Sequence, residues 1–412
     1  MTFRNLLKIL GPGLLYAGAA VGVSHLVQST RAGASYGFEL LWVLILANVI
    51  KYPFFEFGPR YAAATGKNLI DGYRETGKWA VVMFALLTLG TMFAIQAAVT
   101  IVTAGLVGNV FNLSMSAVQI SGIILVVTML ILMIGRYQVL DNLMKFVIVL
   151  LAVSTLVAVI FSLDKSTPVQ ASHFNWADHL DIAFLIAFIG WMPAPLDVTV
   201  WQSLWTNAKY ESKDRPRLKD VLLDFNIGYI GTIFLAIGFL SLGALILAGS
   251  EEELSSKGAV FAHQLISMYT NSIGDWAYYI IAIAAVTTMF STTITVLDAY
   301  PRVLKPLTLM AFPKMKNRTS GFDKQSWFWI IVVVSGALIF VNFLGKTMIT
   351  MVDIATTISF VTAPLLAYLN YRVVTGKSMP EEAKPKLWLK IFAWTGIIFL
   401  SGFTLFYIIW LM

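Results

Sequence analysis

Residues 11–37 read GPGLLYAGAAVGVSHLVQSTRAGASYG, and the fold is decided in this stretch. It starts as an apolar membrane helix of Ala, Val and Leu, yet Gly18, Gly22, Ser24 and His25 fall in its middle. A second stretch, GWMPAPLD at 190–197, interrupts another apolar segment in the same way. Pro193 and Pro195 have no N–H, so carbonyls one turn earlier lose their donors and the helix must open. Open backbone at membrane depth is tolerated only where it is buried in protein or lines a cavity. Two interruptions, one in each half of the chain, therefore predict a cavity between them.

Composition supports the membrane reading. Of 412 residues 58% are hydrophobic and only 12% charged, against about 25% charged in an average soluble domain, and the mean hydropathy is +0.78. Cysteine is absent, which excludes disulfides and thiolate metal sites. The first apolar run follows Arg4 and Lys8 but is long and leads straight into others, so it reads as a span rather than a cleavable signal. Eleven apolar runs are long enough to cross a bilayer, near 11–31, 38–59, 79–108, 115–135, 142–163, 180–205, 221–249, 275–299, 326–345, 348–371 and 388–411.

Charge orients them. With the N-terminus cytoplasmic, the 29 Lys and Arg residues fall on the inside, except Arg31, Lys165, Lys257 and Lys346 outside and Lys51 within the second span. So lopsided a division is the positive-inside rule, with the C-terminus extracytoplasmic. The net charge of +7 is thus a topology signal and gives no support to a nucleic-acid partner. The acidic Glu251–Glu253 and the polar loop around His173–Asp181 fall outside.

Eleven spans divide into a five-helix unit over 1–163, a second over 164–373 and an additional helix over 374–412. Five is odd, so the second unit must be inverted, and each unit opens on a broken helix. This resembles the LeuT-like transporters, whose substrate site lies between two discontinuous helices. The fold expected is an all-α integral membrane protein, a LeuT-like 5+5 inverted repeat with 11 transmembrane helices, helices 1 and 6 broken.

GPGLLYAG at 11–18, RAGASYGFELLWVLILAN at 31–48, TGKNLIDGYRE at 65–75, LDFNIG at 223–228 and STTIT at 291–295 resemble the Nramp family of proton-coupled divalent-metal transporters. The resemblance implies a secondary transporter of a metal cation, with no cofactor, and a monomer in the lipid bilayer. It also exposes departures. Where the family's first broken helix carries Asp-Pro-Gly-Asn, this chain has Gly22, Val23, Ser24 and His25; where the sixth carries Met-Pro-His-Asn, it has Met192, Pro193, Ala194 and Pro195. Of the side-chain ligands only Met192 remains, with the carbonyl near Ala19. The proton-exit carboxylates have no counterpart in FAIQAAVTIVTAG at 93–105, and a following His is replaced by Thr199. Proton coupling of the Nramp type is therefore not expected. Without the anionic ligand a bare dication at the midplane would be unfavourable by several kcal/mol, unless it keeps part of its hydration, as in relatives that move magnesium.

The candidate substrate-binding residues are accordingly Ala19, Gly22, His25, Met192, Ala194, Asp197 and Thr357, with Met192 and His25 as metal ligands. Charged groups inside spans usually face a cavity or a partner. His25 and Asp197 have two readings: they line the site, or His25 bonds a freed carbonyl while Asp197 caps the second half-helix. The hydroxyls of 287–295, above all Thr292 and Thr293, form a possible sodium site, the alternative being back-bonding to their own helix. Lys51, Glu56 and Arg60 read as an internal structural set near the cytoplasmic end, and Asp298 with Arg302 as an i,i+4 pair. No nucleotide-binding loop is present, so a primary pump is not expected. Two further functions stay open: transport of a small organic solute such as an amino acid or amine, possibly sodium-coupled, and a non-transporting sensor or uncoupled channel.

Overall fold

The computed structural model describes residues 10–134, 137–163, 172–210, 216–248, 254–312, 324–344 and 347–411. Arg4, Lys8, Arg136, Lys165, Lys213, Arg215, Lys314, Lys316, Arg318, Lys346 and Glu251–Glu253, used above to orient the chain, lie outside the described residues.

Proline punctuates the chain first. Pro12 begins helix α1 (Pro12–Ala20), where a missing N–H is harmless. The helix stops at Val21 and resumes as a wide π-helical turn, Ser24–Ser29, that continues into α2 (Thr30–Tyr36). Then come α3 (Leu41–Thr65), α4 (Leu69–Thr76), α5 (Lys78–Val110), α6 (Ala117–Ile134) and α7 (Tyr137–Leu163). The second interruption separates α8 (His179–Trp191) from α9 (Asp197–Tyr210). They are followed by α10 (Leu218–Leu242), α11 (Gly258–Ile273), α12 (Tyr278–Ala311), α13 (Lys324–Phe343), α14 (Met348–Thr375) and α15 (Leu387–Leu411). Both breaks fall where the glycines and prolines put them.

Prolines inside α3 and α12 do not end those helices, which run past the expected ends at 59 and 299 to Thr65 and Ala311. A neighbour supplies what Pro59 removes, since Thr199 Oγ1 donates to the freed Phe55 carbonyl at 3.3 Å and to that of Phe54 at 3.0 Å. The helix α11 was not among the expected elements. Its apolar side, with Phe261, Leu265, Met268 and Tyr269 buried, packs on α5 and α7, and Tyr269 meets Thr155 hydroxyl to hydroxyl at 2.8 Å.

Seven helices among the described residues are long and apolar enough to cross a bilayer. Large apolar side chains on their outer faces, such as Trp42, Leu86, Phe234 and Ile398, are exposed, while Lys51, Glu56, Gln96 and Asp298 are buried. Polar inside and apolar outside is the distribution that lipid imposes. In the interior α5 lies along α12, α14 along α8 and α5, α9 against α3, and α10 along α1. At the last contact Gly13 and Gly228 bring backbone onto backbone: a Cβ on Gly228 would collide with the Gly13 carbonyl, and one on Gly13 with that of Asp224.

Candidate functional site

The two interruptions face each other. Between them lies a cavity of about 20 Å³ lined by Ala19, Ala20, Val23 and Ser24 from the end of α1 and the first break, Trp191, Pro195, Val198 and Trp201 from α8, its link and α9, Ile95 and Val99 from α5, and Thr292 and Val296 from α12. That is room for roughly one water or a bare ion. Its walls carry no carboxylate.

Two larger cavities lie at the ends. One of about 840 Å³, at the end carrying Arg302 and Lys305, is walled by Trp205, Thr206, Asn207 and Pro301. The other, of about 610 Å³, is walled by Arg31, Tyr36, Phe184, Asp353, Thr357 and Tyr407. No lining residue is shared among the three. Arg31 and Asp353 form an ion pair at 2.7 Å, with Gln28 bonded to both.

Each interruption leaves backbone groups that other helices satisfy. At the head of α1, Asp224 on α10 accepts from Gly11 N at 3.0 Å and Gly13 N at 2.7 Å, a cap supplied from over 200 residues away. At the tail of α8, Pro193 cannot bond to Ile189 O; Lys51 Nζ on α3 takes that carbonyl at 2.6 Å and Gly190 O at 2.8 Å. Glu56, expected in one set with Lys51, is bonded through both oxygens to Arg60, which also donates to Ala383 O. The pairing of Asp298 with Arg302 is present, with Arg302 Nε donating to Oδ2 at 2.6 Å.

Among the predicted site residues, Ala19 borders the cavity directly, and Gly22 lies against Thr292, where a Cβ would sit 3.0 Å from its Oγ1 and Cγ2. Met192 and Ala194 are fully buried in the α8–α9 link. Asp197 is buried at the first position of α9 with Oδ2 unpartnered. His25 is buried, but its ring turns to α10: Nε2 lies 3.0 Å from Thr232 O and Nδ1 2.7 Å from Ser24 Oγ, which itself lies 2.8 Å from Ala20 O. Those three contacts need three protons, and a serine with a neutral imidazole supplies two. Thr357 borders the 610 Å³ cavity instead. Among the described residues no group of three His, Cys, Asp or Glu is placed to hold a metal.

Thr292 and Thr293 point to opposite neighbours. Thr292 Oγ1 lies 3.5 Å from both Gly18 O and Val21 O and 3.1 Å from Thr288 O. Thr293 Oγ1 lies 2.8 Å from Thr103 Oγ1 on α5 and 3.0 Å from Met289 O. The residues that sequence reasoning missed are the supports, Asp224 and the true partner of Lys51. The break at Pro193 was a signal for the second, since it leaves Ile189 O with only a 3.3 Å bond from Met192 N and open to a further donor.

The profile of the Nramp (natural resistance-associated macrophage protein)-like family matches residues 13–410. The chain belongs to the Nramp-like family. It is therefore a multi-span membrane transport protein rather than an enzyme. An uncharacterized protein of Pasteurella multocida is 37% identical over 415 residues, 99% of this chain and 93% of its own length. The divalent metal cation transporter MntH of Bacillus subtilis matches locally, 36% identical over 73 residues, 18% of this chain and 17% of the transporter. In structure this Nramp-like chain is similar to a mutant of the manganese transporter of Eremococcus coleocola, with TM-score 0.72 at 15% identity over 98% of this chain and 86% of the other. It also resembles MhsT, crystallised with L-phenylalanine, with TM-score 0.62 at 15% identity over 96% and 97%. These likenesses establish an all-α, LeuT-like fold.

Proposed function

We propose that the chain is a secondary transporter that moves a small cation, a divalent metal foremost, by alternating access. The observation carrying this reading is the small cavity where both helix breaks meet, with room for an ion and none for an amino acid. The names of the relatives, divalent metal and manganese transporters, point the same way. Ala19, Gly22, Met192, Ala194 and Asp197 surround the path, and the cavity widens as the metal passes, because its neutral lining cannot replace the whole water shell and the resting volume holds only a bare ion. His25 orders the first break through Thr232, and Thr357 belongs to the outer approach.

In this reading eleven spans form two inverted five-helix units, 1–163 and 164–373, followed by an added helix over 374–412. The 840 Å³ cavity opens to the cytoplasm, where Arg302 and Lys305 satisfy the positive-inside rule, and the C-terminus is extracytoplasmic. The protein works as a monomer. Nramp-type proton coupling is absent: in place of carboxylates α5 carries Gln96 and Thr100, bonded to each other, and Thr103, bonded to Thr293 of α12, whose carbonyl Gln96 also reaches.

A coupling cation at Thr292 is favoured by spacing. Ligand oxygens on a cation with metal–oxygen distances of about 2.3–2.6 Å stand about 3.3–3.7 Å apart, which is the separation of Thr292 Oγ1 from Gly18 O and Val21 O. Sodium falls in that size class.

Proteoliposomes holding a metal-sensing dye or a pH dye test the proposal. Manganese or magnesium should enter, faster with a sodium gradient, without acidifying the lumen. Metal-independent uptake of a labelled amino acid, with no metal signal, would overturn it.

A further inference from the structure

Lys51 is fully buried, yet among the described residues no carboxylate pairs with it. The nearest acid in sequence, Glu56, is held by Arg60. What Lys51 meets is the negative end of a helix. Its ammonium donates to Ile189 O at 2.6 Å and Gly190 O at 2.8 Å, two carbonyls of the last turn of α8, the first of which also accepts from Met192 N at 3.3 Å. Carbonyls at a helix C-terminus carry the negative half of the macrodipole. Exposed at membrane depth, they are a ready site for a small cation, which is how broken helices of transporters hold their ions. On its other side Gly190 lies so close to the Thr356 carbonyl of α14 that a Cβ could not be accommodated, so this stretch of backbone is fixed between α3 and α14.

We propose that Lys51 is a resident cation. Its ammonium fills the carbonyl site at the end of α8 that a mobile monovalent cation would otherwise take, and so holds the second break in shape. Lys51 is thus a positioning residue, acting through α8 rather than touching cargo. The broken helix keeps its counter-charge permanently attached, and its carbonyls are withdrawn from the set available to transported ions. The proposal does not depend on which cargo the protein carries.

The test is rescue by a free ammonium group. Full-length protein in nanodiscs, wild type and Lys51→Ala, is unfolded thermally in choline chloride and in methylammonium chloride at one ionic strength. Lys51→Ala should melt lower than wild type in choline, and methylammonium should restore at least half of the lost midpoint, saturably, while leaving wild type unmoved. Lys51→Arg, which keeps the charge and the donors, should stay near wild type and ignore methylammonium. Should Lys51→Ala fail to accumulate, Lys51→Val, which keeps the base of the stem and leaves the space of its far end open to methylammonium, takes its place. Sodium binding elsewhere would raise wild type and variants alike and cannot imitate the result. A neutral variant whose midpoint is the same in both salts, or a Lys51→Arg variant as unstable as Lys51→Ala, overturns the proposal.

Discussion

Arg31 grips Asp353 with both guanidinium nitrogens, Nη1 on Oδ1 at 2.7 Å and Nη2 on Oδ2 at 3.3 Å, and thereby ties α2 to α14 beside the 610 Å³ cavity. The guanidinium also lies over the Phe184 ring, 4.9 Å from its centroid, so it closes the space between three helices.

The pair is partly exposed, at 15% and 35% for the two side chains, and so contributes about 1 kcal/mol or less. Asp353→Asn should accordingly bias the protein toward opening of this cavity by up to about 5-fold. The chain has no cysteine, so Thr357→Cys offers a single reporter on that cavity. An impermeant maleimide should label it faster when Asp353→Asn is added. An unchanged rate would mean that the pair does not govern access.

Thr292 and Thr293 should separate coupling from packing. Losing a hydroxyl that faces a bound cation removes about 1.5–3 kcal/mol, so Thr292→Ala should lower sodium affinity by roughly 10- to 100-fold in a flux assay. Thr293→Ala, whose hydroxyl is spent on Thr103, should cost about 1 kcal/mol of stability and leave sodium dependence alone. Equal effects on sodium dependence would remove the assignment to Thr292.

Restoring an acid in the first break should need two changes. A Cβ at Gly22 lies 3.0 Å from Thr292, so Gly22→Asp alone should impair folding or flux. Combined with Thr292→Ala it should raise manganese affinity over wild type by roughly 10-fold or more, read by calorimetry. If the double variant binds manganese no better, the break is not poised for metal.

The caps can be tested by stability. Asp224→Ala strips a buried acceptor from two N–H groups at the head of α1 and should destabilise by about 1–3 kcal/mol, whereas Asp224→Asn keeps one acceptor and should lose less. Thermal unfolding ranks the two. His25→Ala should likewise lower stability, through Ser24 and Thr232 O, with cation selectivity unchanged in competition flux. A selectivity change would place the ring on the path.

The breaks were legible because glycine and proline act locally: a missing N–H at Pro193 or Pro195 opens a helix wherever it sits. What Lys51 does was not, since its partner stands 138 residues away and nothing in α3 names it. The direction of His25 was equally hidden. Neighbours on a helical turn point to different sides, and here Ser24 lines the cavity while His25 turns to α10; the register of the π-helical turn decides which. Helix α11 escaped notice because an amphipathic turn-rich stretch beside an acidic run reads as a loop until α5 and α7 give its apolar side something to cover.

In the transporter proposed above, three cavities that share no lining residue would be passed in series, as through an air lock. Suppose each wall opens on its own about 1% of the time, within the usual range for a minor conformation; both then stand open together only about one moment in ten thousand. Tightness at rest thus needs no perfect seal at either end. A lesion in the Arg31–Asp353 clasp should alter how quickly solute enters from one side while the membrane stays insulating, and only simultaneous damage to the wall near Trp205 should turn the carrier into a pore.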